Sequence, residues 1–187
     1  MNQSRKTYTA AAALLILIAT ALMASCQKKD VVSLYQKQAT NISNYVAKVL
    51  KDSLDSYASY NDGVTRITLE EGSGPLLVKG DQLTFSYAAY TFGTSIQTAN
   101  LFDTNDPWWA QKEGWIGDAE SLEPSTLDFT KDNFLQGLLL GLEGVQAGER
   151  CIVLFTGEHG FGARPVGVVG SYSALAYRVR VEEIKKR

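Results

Sequence analysis

The sequence predicts an α+β domain: a twisted antiparallel sheet wrapped around one short helix. Three observations carry this. Leu83, Phe85, Tyr87 and Ala89 alternate with Gln82, Thr84, Ser86 and Ala88; Leu175, Tyr177, Val179 and Val181 alternate with Ala176, Arg178, Arg180 and Glu182. That two-residue period marks strands with one apolar face. Cys151 to Phe155 is apolar on both faces, the pattern of a central strand covered from each side. Between these, Phe134, Leu135, Leu138, Leu139 and Leu142 keep helical spacing around Gly137 and Gly141. The segment ends near Gly144, and glycine suits a helix C-terminus.

In chain order, Arg5 and Lys6 precede an uncharged run from Ala10 to Ala24. The run is shorter than the roughly 20 residues a membrane span needs. A charged start, an apolar centre and small residues at the exit fit a secretory signal. The exit, Met23-Ala24-Ser25-Cys26, resembles a bacterial lipobox with Met where Leu is usual. Residues 1–25 are therefore read as a lipoprotein signal peptide and Cys26 as the lipidated first residue of the mature chain. The expected location is the cell envelope, lipid-anchored to the outer membrane on its periplasmic or surface-exposed face.

Residues 26–62 read as the lipidated tether and an N-terminal helix. Ile42, Tyr45, Val46, Val49 and Leu50 follow the i, i+3, i+4, i+7, i+8 pattern. The pattern leaves open whether this helix docks on the domain or stands it off the membrane. Tyr57 to Gly63 reads as a polar break, with Asp62-Gly63 a turn signal. The domain proper is expected over 63–187. Residues 106–128 look like a loop insertion within it, holding Trp108, Trp109 and Trp115. Trp108 and Trp109 would anchor a small helix or extend a binding surface.

Composition narrows the function. The 187 residues are 45% apolar and 20% charged, which excludes wholesale disorder. The net charge of −2 and the lack of a basic block argue against nucleic-acid binding. Two Cys and one His supply neither a disulfide framework nor a zinc site, so no metal and no cofactor are expected. Cys151 reads as a small buried apolar residue and His159 as a loop residue.

An ordered set of fragments then carries a resemblance: Val78-Lys79-Gly80-Asp81, Leu83 to Tyr87, Leu101-Phe102-Asp103-Thr104, Phe134-Leu135-Gln136-Gly137, Gly141, Gly148-Glu149-Arg150, Gly160-Phe161-Gly162, and Leu175 to Ile184. Over roughly residues 64–184 the chain resembles the FKBP-type peptidyl-prolyl cis-trans isomerases, in particular their bacterial lipoprotein members. The resemblance implies a site. Tyr87, Asp103 and Phe161 would be catalytic. Phe102, Phe134, Leu135, Leu138, Val168, Val169 and Tyr177 would bind substrate, and Leu127 and Phe129 would cover an adjoining wall. A backbone N–H beside Phe134 and Leu135 would meet a substrate carbonyl. Leu138 stands where most active members have Trp. Phe161 stands where they have a Tyr whose hydroxyl donates to the ligand, and Tyr177 where Phe is usual.

Such a site needs no nucleophile. The barrier of about 18–20 kcal/mol to rotation about an Xaa–Pro bond is lost amide resonance. An apolar aromatic pocket lowers it by binding the less charge-separated twisted amide. Asp103 would orient the pocket through Tyr87 or polarise the twisted carbonyl. Orientation is preferred, because a carboxylate only accepts. The implied partners are proline-containing polypeptide clients and, through Cys26, the membrane; the chain is expected to be a monomer. The rival readings are a catalytically weak or inactive FKBP-like chaperone or protein-binding module on the envelope, and a purely structural lipoprotein. The Trp-bearing insertion follows Phe102-Asp103 directly and is expected near the pocket rim.

Overall fold

Matching alternation on the two longest strands sets the centre of the sheet. The computed structural model describes residues 30–115 and 122–187. In it β3 (Gln82–Thr91) and β7 (Leu175–Lys185) run antiparallel from Gln82↔Lys185 to Thr91↔Leu175. Their apolar positions therefore share one face. A bulge at Glu182, between the pairs Phe85↔Val181 and Thr84↔Glu183, shifts the phase of β7 and returns Ile184 to that face. The other strands are β1 (Tyr57–Asn61), β2 (Val64–Glu70), β4 (Leu101–Thr104), β5 (Ser125–Asp128) and β6 (Arg150–Phe155). The order is β1-β2-β6-β7-β3-β4, every pairing is antiparallel, and β5 pairs with the start of β3.

The double apolar character of β6 has a direct cause. Cys151, Val153 and Phe155 face helix α3 (Gln136–Leu142) and the main core. Ile152 and Leu154 face helix α1, which runs over residues 30–52. The compact unit that carries the sheet begins at Gln38. From there α1 buries Ile42 and Val46 against Ile67, Ile152, Leu154 and Ala176, and Tyr45 meets Phe92 edge-on at 5.4 Å. This part of the helix docks on the sheet.

The domain start expected at residue 63 falls inside a hairpin. Tyr57–Asn61 is a strand and not a break, paired with β2 from Tyr57↔Thr68 to Asn61↔Val64. Asp62 (φ 45°) and Gly63 (φ 80°) make the two-residue turn between them. Positive φ at both positions is the turn that matches strand twist. Sequence reading found the turn and missed the edge strand, because Tyr57, Ser59, Tyr60 and Asn61 look polar. Cys26 and the signal segment lie outside the described residues.

Helix α3 rests on β6 through its glycines. A Cβ added at Gly137 would overlap the Phe155 ring, and one at Gly141 would overlap Val153. The helix axis sits so close to the strand that only glycine fits. Arg66 binds the end of α3, donating to the carbonyls of Gly141 (3.1 Å) and Glu143 (2.9 Å). Burial pushes the Cys151 thiol well above its ordinary pKa, consistent with an inert core residue.

The last residues of the chain are tied down by a buried carboxylate. Asp81 is 2% exposed and accepts from Lys186 Nζ (2.6 Å), Val78 N–H (2.9 Å) and Arg187 N–H (3.4 Å). Burial raises its pKa, but the Lys186 ammonium and these N–H donors outweigh burial and hold it below the usual value. A carboxyl depressed in the folded state stabilises above its unfolded pKa of about 3.9. That stability is lost as pH falls through the folded value. Asp81→Asn is therefore expected to be less stable than wild type at pH 7, with the difference shrinking below pH 4; urea midpoints measured from pH 7 to pH 2.5 check this.

Candidate functional site

The site grows from the inward faces of β3 and β7. Tyr87 and Tyr177 stand on these neighbouring strands with ring centroids 6.0 Å apart. Phe102, from β4, meets Tyr177 edge-on at 6.2 Å. Phe155, from β6, stacks on the other side of Tyr177 at 5.9 Å and 15°. Tyr87, Phe102, Leu135 and Phe161 are partly buried against this core, and Leu138 is 7% exposed beneath it. The result is an aromatic wall still in contact with solvent. Gly137 N–H donates to the His159 carbonyl (2.9 Å), which ties the loop bearing Phe161 to the start of α3. The same loop is held from the α1 side. Gln38 donates to the Tyr172 carbonyl (2.7 Å) and accepts from Gly157 N–H (3.0 Å).

The polar edge is Asp103, exposed on β4. Its Oδ2 accepts from the Tyr87 hydroxyl at 2.7 Å. Burial, and then this bond to a carboxylate, push the Tyr87 pKa far above its ordinary value. The phenol therefore keeps its proton and donates it to Asp103. Tyr177 is raised likewise, by burial and then by the negative charge of Asp103. At the start of α3, the Leu135 carbonyl accepts from Leu138 N–H and Leu139 N–H, both at 3.0 Å. The Leu135 N–H donates to no backbone carbonyl among the described residues.

Asn105 is the residue that sequence reading missed. It is 4% exposed. Its Oδ1 accepts from Tyr87 N–H (2.6 Å), and its Nδ2 donates to the Phe85 carbonyl (3.1 Å) and Ser125 Oγ (3.0 Å). Thr104 Oγ1 adds a bond to the Tyr87 carbonyl at 2.7 Å. Together they fix the backbone of Tyr87 where β4 leaves the sheet. In the sequence, Asp103-Thr104-Asn105-Asp106-Pro107 resembles any turn. Asn105→Ala leaves buried partners unpaired at about 1–3 kcal/mol each. The expected loss is about 3 kcal/mol, a fall in Tm of the order of 10 °C by calorimetry.

Several expected site residues lie elsewhere. Phe134 is 6% exposed and packs into the core against Phe85 (5.5 Å) and Phe129 (5.3 Å). Phe129 is fully buried. Val168 and Val169 separate: Val169 is in the core at 1% exposure, and Val168 stands in solvent at 83%. The Trp pair is on the opposite face of the sheet from the wall. Helix α2 (Pro107–Glu113) is capped by Asp106, whose Oδ1 accepts from Trp108 N–H (2.9 Å) and Trp109 N–H (3.3 Å). It packs Trp109 onto Ala88 and Tyr90, which point away from Tyr87. A cavity of about 640 Å³ lies on that face, lined among others by Trp108, Trp109, Arg178 and Arg180. Its charges are largely matched internally. Arg150 pairs with Glu70 (2.7 Å), Arg180 pairs with Glu182 (3.3 Å), and Arg178 lies over the Trp109 ring at 4.2 Å. The paired charges that line this cavity set its chemistry apart from that of the aromatic wall.

Neither a family model nor a curated protein matches the sequence. Solved structures do match the fold. A peptidyl-prolyl cis-trans isomerase from Pseudomonas syringae pv. tomato is 12% identical, covering 81% of this chain and 95% of that one, with a TM-score of 0.55. The N-terminal domain of FKBP42 from Arabidopsis thaliana is 22% identical over 71% of this chain and 94% of that one, with a TM-score of 0.53. FkpA from Escherichia coli is 18% identical over 99% and 74%, with a TM-score of 0.55. At these identities the likeness is one of fold: the chain has the α+β architecture of the FKBP-type isomerases.

Proposed function

We propose that the chain is a peptidyl-prolyl cis-trans isomerase that speeds Xaa–Pro isomerisation in exported or envelope proteins. One observation carries this reading. On an FKBP-type fold, a solvent-accessible aromatic wall is edged by the Tyr87–Asp103 hydrogen bond of 2.7 Å. Tyr87, Phe102, Tyr177, Phe161 and Leu138 would hold the proline ring and the twisted amide away from water. Removing water favours the less charge-separated twisted form and so lowers the rotational barrier. Asp103 would orient Tyr87 by accepting the hydrogen bond from its hydroxyl. The Leu135 N–H, without a backbone partner among the described residues, would bind a substrate carbonyl.

Uncatalysed isomerisation takes tens to hundreds of seconds. The test is the slow, proline-limited refolding phase of a small protein with a native cis proline, followed with and without the full chain in mild detergent. Concentration-dependent acceleration of that phase supports the reading. An unchanged phase, with the chain folded, contradicts it.

A second reading is a non-catalytic binding module, favoured by Leu138 in place of Trp and Phe161 in place of Tyr. That reading predicts binding of proline peptides without acceleration. In either case we place the protein on the cell envelope through lipidated Cys26. Cys26→Ser is then expected to move it from the membrane fraction to the soluble one; retention in the membrane would count against the anchor.

A further inference from the structure

We infer that the Tyr177 hydroxyl is the side-chain hydrogen-bond donor of this site, binding the carbonyl oxygen of the Xaa–Pro amide. The inference rests on the isomerase reading, which names the backbone donor at Leu135, and assigns the side-chain donor that reading leaves open. Three rings fix the Tyr177 side chain: Phe155 stacked at 5.9 Å, Tyr87 at 6.0 Å and Phe102 edge-on at 6.2 Å. The residue is 6% exposed. A tyrosine buried to that degree normally hydrogen-bonds its hydroxyl. No hydrogen bond joins this hydroxyl to any group among the described residues. Nor is it sealed in. Among the described residues, the fully buried polar side-chain atoms without a partner are Arg66 Nε, Glu113 Oε2 and Arg178 Nε, and the Tyr177 oxygen is not one of them. Its oxygen therefore reaches the surface of the wall with a proton to give.

The neighbouring groups leave it that task. The other phenol, Tyr87, already donates to Asp103 at 2.7 Å. Position 161, on the loop across the wall, is a phenylalanine with nothing to donate. Burial and the charge of Asp103 both favour the neutral phenol at Tyr177, so the donor persists across the physiological range. An apolar wall with one well-fixed side-chain donor orients the Xaa–Pro carbonyl while leaving the C–N bond free to turn. Such a bond is made to ground state and transition state alike, so its loss falls on binding and not on turnover.

The test uses the full chain in detergent and a short Xaa–Pro peptide. Tyr177→Phe is expected to raise Kd and KM about 5-fold with kcat changed less than about 2-fold, the size of one neutral hydrogen bond. Its Tm should be unchanged or higher, because an unpartnered hydroxyl has been removed. Adding Phe161→Tyr to Tyr177→Phe should recover part of the loss by restoring a donor across the wall. Wild-type activity with unchanged Kd and KM in Tyr177→Phe would overturn the inference and leave the isomerase reading intact. A loss of binding that tracks a loss of Tm would also overturn it, assigning Tyr177 a packing role. Wild type that neither binds nor isomerises the peptide would overturn the isomerase reading, and the inference with it.

Discussion

Gly141→Ala is expected to destabilise the domain by about 3 kcal/mol, measured by urea unfolding. In an exposed helix the same change would stabilise by about 1 kcal/mol, since alanine is the better helix former. Here the new methyl would overlap Val153 on β6, and the neighbour is a packed strand residue and not a flexible tip. Overpacking a dense core costs typically 1–3 kcal/mol and sometimes more. The cause is open to a direct check. Val153→Ala alone creates a void, and in the double variant the new methyl occupies part of that void. The double variant should therefore be more stable than the sum of the single losses by at least about 1 kcal/mol. Strict additivity would show that the glycine is needed for something other than close approach.

The second large effect falls on activity. Asp103→Ala and Tyr87→Phe break the same bond, from a phenol to a carboxylate at 2.7 Å. A hydrogen bond to a charged group contributes about 1.5–3 kcal/mol. Expressed in the transition state, that is roughly a 10- to 100-fold fall in kcat/KM. The two changes should not multiply: the double variant is expected to be about as slow as the worse single one. Because Asp103 is exposed and Tyr87 keeps its ring packing against Phe85, the Tm of each variant should change little. Multiplying effects would mean that Asp103 acts on substrate directly, the alternative to orientation.

What the sequence made legible, and what it hid, follows from physics at particular positions. The period of β3 and β7 declares which residues face inward, so Tyr87 and Tyr177 could be placed on one wall. The two-faced apolar run of β6 required cover on both sides. One cover, α3, was legible from its spacing; the other, α1, has its own amphipathic face but no local signal of what it packs against. Gly137 and Gly141 looked like interruptions of a helix and are its points of closest approach. That meaning exists only once Phe155 and Val153 are opposite them. Strand β1 was hidden because an edge strand tolerates polar residues on both sides. The Trp helix was misplaced for a related reason. Along a strand one residue separates the two faces, and Trp109 rests on Ala88 and Tyr90 while the site uses Tyr87. Val168 stands in solvent for another reason: it sits in the tight turn that the Val166–Val169 bridge closes, while Val169 is buried in the core. Asn105 was hidden because its three bonds are all to residues distant in sequence.

The central claim is that this aromatic wall turns Xaa–Pro bonds. Exchange NMR on a short Xaa–Pro peptide tests it most directly, since cis and trans forms give separate signals and the rate between them is read without a coupled enzyme. Sub-stoichiometric full chain should raise the exchange rate well above that in buffer, and the folded Asp103→Ala, Tyr87→Phe double variant should raise it at least about 10-fold less. Exchange that is equal for wild type, double variant and buffer, with every chain folded, would contradict the account.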